Sequence, residues 1–525
     1  MKKIFLVGLV SLGFAFSAKA QTVKEAIKFT DNEQLEKAEA AFKTLVASQP
    51  TAENYFYYGE NYYKWEKFSQ AEAMYKKGLE VKADDALCLI GLGKLMWQDG
   101  KTTEAKANFD KALYGNNSKN VKLMLEVADV YIKSEKKDIP AAQALINNVI
   151  KIDIKNHDAY ILLGDSYLEM NDGSKAIENY KKAGAIDPKS VKSILRQGQL
   201  YGRSKNYQLA LDYYRQAAVI DSSFAPAYRE QGELYYMAKQ YDKAKYYSKK
   251  YVDLTGGTIS SRVRYAQFLF LSKDYKKAIE EITSLQKEDT TNNVLNRLLG
   301  YASFETGEFA KGAEAMNKFF ARAPKEKNKI LASDFEYLGK NYAKSGKDSL
   351  GILNLEKAIT MDSSATNLYG DIALIYSKQK RNDKAAEYYV KKIEGKKDVN
   401  INDHFNLGKA YYFGKDYVKA DTAFGTVISM QPKLNLGYLW RGRAQSALDP
   451  DTKTGAAKPY YEKLIEVASV DPVKNKTDLV EGHSYMAYYY YLVAKDNAKS
   501  KESWLKVKEI DPANEKAKKS LESLK

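Results

Sequence analysis

The sequence predicts an all-α solenoid of about fourteen helix-turn-helix repeats. Three observations predict it: a small residue that returns about every 34 positions, a second small residue in step with it, and five of the ten prolines falling at one place in the repeat. The first series is Gly59, Gly93, Ala128, Gly164, Gly198, Gly232, Ala266, Gly300, Gly339, Ala373, Gly408, Gly442 and Ala487, with a spacing of 34 in seven of its twelve intervals. It marks the first helix (A) of each unit. The second series marks helix B: Ala38, Ala71, Ala105, Ala142, Ala176, Ala210, Ala244, Ala278, Gly312, Gly351, Ala385, Ala420, Ala457 and Ser500. Small side chains at these positions let A and B approach closely, and bulky ones fill the space to the next unit. Tyr62, Tyr131, Tyr167, Tyr201 and Tyr235 supply that bulk in A, and Phe42, Tyr75, Phe109, Tyr180 and Tyr214 in B, which accounts for much of the count of 42 tyrosines. Pro50, Pro188, Pro324, Pro432 and Pro512 follow helix B, where a ring without a backbone donor stops the helix.

The clearest unit, residues 160–188, reads YILLGDSYLEMNDGSKAIENYKKAGAIDP. It resembles the tetratricopeptide repeat (TPR) consensus at Tyr160, Leu163, Gly164, Tyr167, Ala176, Tyr180, Ala183 and Pro188, and the resemblance implies a right-handed superhelix. Ser248, Ser303, Lys392 and Gln445 depart from the pattern, and Pro140 starts a helix after a lengthened turn. Residues 21–512 are expected to form one solenoid, with looser joints near 325–331, 394–400 and 449–480. Residues 513–525 then form a capping helix with Ala517, Leu521 and Leu524 on one face.

Residues 1–20 read as a secretory signal peptide: Lys2 and Lys3, an apolar stretch over residues 4–16, and the cleavage pattern Ala18-Lys19-Ala20. No later segment has the apolar length of a membrane span, and no Cys at the cleavage point could take lipid. The expectation is an exported, soluble, periplasmic chain, with secretion or surface association as the alternative, and not a lipoprotein. The single Cys88 excludes an internal disulfide and sits in an apolar helical run as a small buried hydrophobe. The formal charge of +16 stays positive without the leader lysines and favours acidic partners. Export argues against nucleic acid.

His157, His404 and His483 lie in different units without a second ligand at helical spacing, so no metal site is expected. No phosphate loop or nucleophile motif is present, so the chain is read as non-enzymatic and in need of no cofactor. The TPR resemblance implies that A helices line the concave face. It places Lys192, Arg196, Gln199, Arg203, Arg229, Arg264 and Arg297 there beside Tyr236, Phe270, Tyr301 and Phe304. Arginine forks and aromatic faces suit carboxylates and extended peptides. The alternative is that Glu230, Glu233 and Glu305, on the same wall, pair the arginines into a lattice that binds nothing. No unit carries the family's Lys/Asn carboxylate clamp. A second, aromatic-rich cluster comprises Phe405, Lys409, Tyr412, Phe413, Trp440, Arg443, Tyr485, Tyr488 and Tyr491, either as packing between repeats or, if exposed, as a partner or dimer site. The leading expectation is a cell-envelope scaffold for protein or peptide partners. The alternative is a polysaccharide- or peptidoglycan-associated solenoid. Self-association stays open.

Overall fold

The computed structural model describes residues 22–325 and 328–524. The leader lies outside them, as do residues 326 and 327 in the first expected joint. Among the described residues the fold is all-helical, with twenty-nine α-helices, one short 3-10 turn and no strand. The α-helices pack as fourteen consecutive A/B pairs and a final helix, Glu515–Ser523. The chain divides into two compact units after Asp289, a place that is none of the three expected joints.

Unit 1 holds pairs 1–8. Their A helices are Val23–Asp31, Ala52–Lys64, Ala86–Gln98, Val121–Lys133, His157–Glu169, Val191–Arg203, Ala225–Met237 and Ile259–Leu271. The B helices are Leu35–Ser48, Phe68–Val81, Thr102–Ala112, Ile139–Ile152, Gly173–Ile186, Tyr207–Ile220, Tyr241–Thr255 and Tyr275–Glu288. Unit 2 holds pairs 9–14, with A helices Asn293–Glu305, Ala332–Lys344, Leu368–Lys378, Ile401–Phe413, Asn435–Leu448 and Lys476–Leu492. Its B helices are Phe309–Arg322, Asp348–Met361, Asn382–Glu394, Tyr417–Met430, Lys458–Ala468 and Asn497–Ile510.

The small-to-large pairing explains why these helices dock. The buried B-helix aromatics Tyr75, Phe109, Tyr180, Tyr214 and Phe424 lie directly over Gly59, Gly93, Gly164, Gly198 and Gly408 of their own A helices. A Cβ at any of those glycines would collide with the ring above it. The aromatic bulk therefore fills the space inside a pair as well as the gap to the next one, which refines the reading from sequence. In most pairs the backbone between A and B passes through one left-handed residue, such as Gly100, Gly307 and Gly346 in three of them and Asn171, Lys205, Lys239 and Lys273 in others.

Cys88 is fully buried against Gly78, and burial pushes its thiol far above the ordinary range. The final helix buries Ala517 and lays Leu521 and Leu524 beside Trp504 and Val507. In the connection after Glu394 the buried Lys392 ammonium donates to the carbonyls of Lys397 and Asp398, each at 3.3 Å. The Asp449 carboxylate gathers the amides of Lys453, Thr454 and Gly455 at 2.8–2.9 Å. No described helix is long and apolar enough to cross a membrane.

Candidate functional site

On the A helices of unit 1, long cations reach acids one repeat away. Arg196 binds Asp165 through Nε and Nη2 at 2.9 and 3.0 Å, and Asp165 also accepts the Tyr180 hydroxyl at 2.6 Å. Arg264 grips Glu233 in the same forked way, and its guanidinium lies 4.7 Å from the centre of the Tyr236 ring and 4.6 Å from that of Phe268. Gln199 donates to Glu230 at 3.0 Å. These three links join residues 31 apart in neighbouring A helices. Arg229 pairs with Glu230 and with Glu33 of pair 1, and Lys192 pairs with Asp31 at 2.9 Å. Phe270 packs against Tyr275 at 5.5 Å. Arg203 is exposed and, among the described residues, is the arginine of this wall without an ion pair.

Arg203 borders a cavity of about 690 Å³ lined mainly by the A helices of pairs 4–7. Leu168, Leu234, Met237, Tyr207 and Tyr214 form its less polar wall. The cavity's other cations are largely neutralised: Lys133 by Asp129 at 2.5 Å, Lys137 by Glu169 at 3.0 Å, and Arg196 by Asp165. Arg203 and Lys205 remain to receive an anion.

Further along the same face, Lys94 pairs with Glu60 at 2.7 Å, and Glu60 also accepts the Tyr75 hydroxyl. Burial, followed by the charge of Glu60, pushes the Glu126 carboxyl up from 4.5 to about 7, against the opposing influence of Lys94 and Lys133. The folded value lies above the unfolded one, so the unfolded chain sheds this proton first as pH rises, and stability falls between about pH 4.5 and 7. Glu126→Gln is expected to raise stability at pH 8 by about 1–2 kcal/mol, allowing for solvent screening, and to change it little at pH 4. Urea midpoints at the two pH values check this; equal shifts at both would refute it.

Unit 2 holds the remaining predicted residues of the first patch. Arg297 forks onto the fully buried Asp334 at 2.8 and 2.9 Å, and Tyr301 donates to the same carboxylate at 2.7 Å. Phe304 packs on Phe309 and Tyr337 at 5.6 and 5.7 Å. The second cluster centres on Trp440, with Tyr412, Phe413 and Phe405 at 5.3, 5.7 and 6.2 Å. Lys409 and Arg443 lie over its ring at 5.7 and 4.8 Å, and Arg443 forks onto Glu481. Tyr485 stacks on Tyr461 at 4.4 Å, and Tyr488 meets Trp504 edge-on at 5.2 Å. Most of these rings pack on one another, but Phe413 keeps 54%, Tyr488 40% and Tyr491 50% of their surface exposed.

Four of the acids that hold these arginines, Asp165, Glu33, Asp334 and Glu481, are not singled out by the sequence pattern. A search for acid and arginine 31 apart in successive A helices would have found the first. Among the described residues no group of three or more metal-ligating side chains converges.

The family profile described as Tetratricopeptide repeat matches residues 157–190, 191–224 and 366–394. The solved C-terminal part of a TPR repeat-containing protein from Cytophaga hutchinsonii is 36% identical over 99% of its own length and 49% of this chain, with a TM-score of 0.45. A TPR repeat-containing protein of Methanocaldococcus jannaschii is 28% identical over 161 residues, which is 30% of this chain and spans only 27% of that relative. PilW, described as a type IV pilus biogenesis factor, is 20% identical over 41% of this chain and 98% of its own, with a TM-score of 0.34. The chain belongs to the tetratricopeptide-repeat family.

Proposed function

We propose that this chain is a non-enzymatic scaffold of the bacterial cell envelope that holds protein or peptide partners, acidic ones preferred, on the A-helix face of unit 1. The observation that carries the reading is the cavity beside Arg203, where unpaired positive charge adjoins Leu168, Leu234 and Met237 while the neighbouring cations are already neutralised. Such a surface favours an extended segment with a carboxylate and an apolar side chain. The leader pattern at residues 1–20 supports export, with the periplasm as the expected place. A second reading, a glycan-associated solenoid, is favoured by the exposed rings of Phe413, Tyr488 and Tyr491, whose faces suit sugar rings.

A photo-crosslinker at Lys205 tests the first reading in intact cells. The expected result is a small set of protein adducts that falls at least fivefold with Arg203→Glu. Adducts unchanged by that substitution would overturn the groove. Retention on purified peptidoglycan without protein adducts, lost when Tyr488 and Tyr491 become Ala, would favour the glycan reading.

A further inference from the structure

Within unit 1 the turn of pair 1 touches residues that follow it by 161 to 218 positions. Asn32 donates to the Ser223 hydroxyl at 2.8 Å, and Gln34 to the Ser223 carbonyl at 3.4 Å. Glu33, at the left-handed tip of that turn, takes both the Arg229 guanidinium and, at 2.8 Å, the Tyr251 hydroxyl. Lys28 meets Asp221 at 3.0 Å, and Asp31 meets Lys192 at 2.9 Å. The receiving surface is thus built from helix A of pair 6, the loop between pairs 6 and 7, and both helices of pair 7. Asn32 and Gln34 are only 3% and 4% exposed, so these amides are seated and not merely nearby.

Two further observations give these contacts a meaning. Each of pairs 1–7 packs on the next, so a contact between pair 1 and pairs 6 and 7 completes a circuit. Charges converge across that circuit: Lys64 of pair 2, whose ammonium is pulled below its usual range by burial, also feels Asp31 and Glu33 of pair 1, Lys192 of pair 6 and Lys133 of pair 4. The closing contact also differs in kind from the packing between successive pairs. One buried apolar cluster runs through pairs 1–5 and another through pairs 6–8, and neither contains residues from both pair 1 and pair 7. Closure rests on ion pairs, of which the exposed ones are weakened by salt, together with hydrogen bonds between neutral groups, which salt leaves in place.

We infer that the turn of pair 1 is a releasable ionic clasp. Docked on pairs 6 and 7, it closes the first seven pairs into a ring around their A-helix face; released, it opens that ring sideways. A folded partner with a protruding segment could then enter laterally, whereas a closed ring admits only a threaded chain end. The inference goes beyond the proposed function and does not depend on what the ring holds. It gives Lys192 and Arg229, two residues of the predicted groove, a role in closure.

Distance measurements by pulsed electron paramagnetic resonance test it without a ligand. Nitroxides are placed at Lys37→Cys in helix B of pair 1 and Asp242→Cys in helix B of pair 7, with the buried Cys88 left unlabelled. In dilute buffer a single short distance is expected. A longer population should grow at least fivefold in about 1 M sodium chloride, where the screening length falls to about 3 Å. Arg229→Glu should produce the same population, and Glu33→Arg combined with Arg229→Glu should restore the short distance. An unchanged distribution in salt and in Arg229→Glu would overturn the clasp. So would a long distance in the wild type under all conditions. The salt experiment uses the unsubstituted interface, so a folding defect in a variant does not shield the inference.

Discussion

Replacing Arg297 by Met is expected to destabilise unit 2 by about 3–5 kcal/mol, the usual cost of leaving a buried charge without its partner. Asp334 is 0% exposed, and its carboxylate takes Nε and Nη2 of Arg297, the Tyr301 hydroxyl and the Leu331 amide, the last two at 2.7 Å. Without the guanidinium, two neutral donors face a full negative charge that water cannot reach. The Arg297 fork also lies 4.3 Å from the centre of the Phe319 ring and donates to the Lys329 carbonyl, so the same side chain ties pair 9 to the chain entering pair 10. Adding Asp334→Asn to Arg297→Met should recover a good part of the loss, because the amide carries no charge to compensate. Urea unfolding followed by the tyrosine signal measures the cycle. A loss below about 1 kcal/mol for Arg297→Met would mean that solvent reaches Asp334 and that the fork is surface decoration.

The contrast between Arg297 and Arg203 shows what the sequence could and could not yield. Both stand in A helices as long cations near aromatics, and nothing in their spacing distinguishes a buried structural fork from an exposed, unpaired guanidinium. An arginine finds its partner through several torsions, and the carboxylate that wins is set by the rotation of the next helix, which a periodicity does not encode. The repeat itself was legible for the opposite reason. Gly164 beneath Tyr180 and Gly408 beneath Phe424 are contacts within one pair, fixed by a few residues and restated in every unit.

Longer-range features left no such trace. The contact of Glu33 with Arg229 arises because small rotations at six successive interfaces add up to a closed circuit, and no single repeat contains that sum. The division after Asp289 is of the same kind: neither residue composition nor a break in period marks it, whereas the insertions that do break the period lie elsewhere. Gly312, the small residue of helix B in pair 9, meets a polar neighbour. The side chain over it is Asn341 of the next pair, an amide whose nitrogen bonds the Gly300 and Tyr337 carbonyls.

Truncation of Tyr75 tests whether the within-pair ring is the element that holds a solenoid step together. Tyr75 is 0% exposed and sits between two helices, because a Cβ at Gly59 of pair 2 or at Gly91 of pair 3 would strike the same ring. Tyr75→Ala is expected to cost about 3–5 kcal/mol, since neither glycine carries a side chain that could collapse into the space. Tyr75→Phe should cost only about 1 kcal/mol, because Glu60 keeps Lys94 when the hydroxyl at 2.6 Å is lost. Adding Gly91→Leu to Tyr75→Ala should return part of the lost stability by filling the void from the other side. Nearest-neighbour packing further predicts that amide-exchange protection falls first in pairs 2 and 3 while pairs 12–14 keep theirs. If Tyr75→Ala cost no more than Tyr75→Phe, the hydroxyl pairing and not the ring would carry the step, and the small-to-large rule that makes the repeat readable would be a record of charge placement, not of packing.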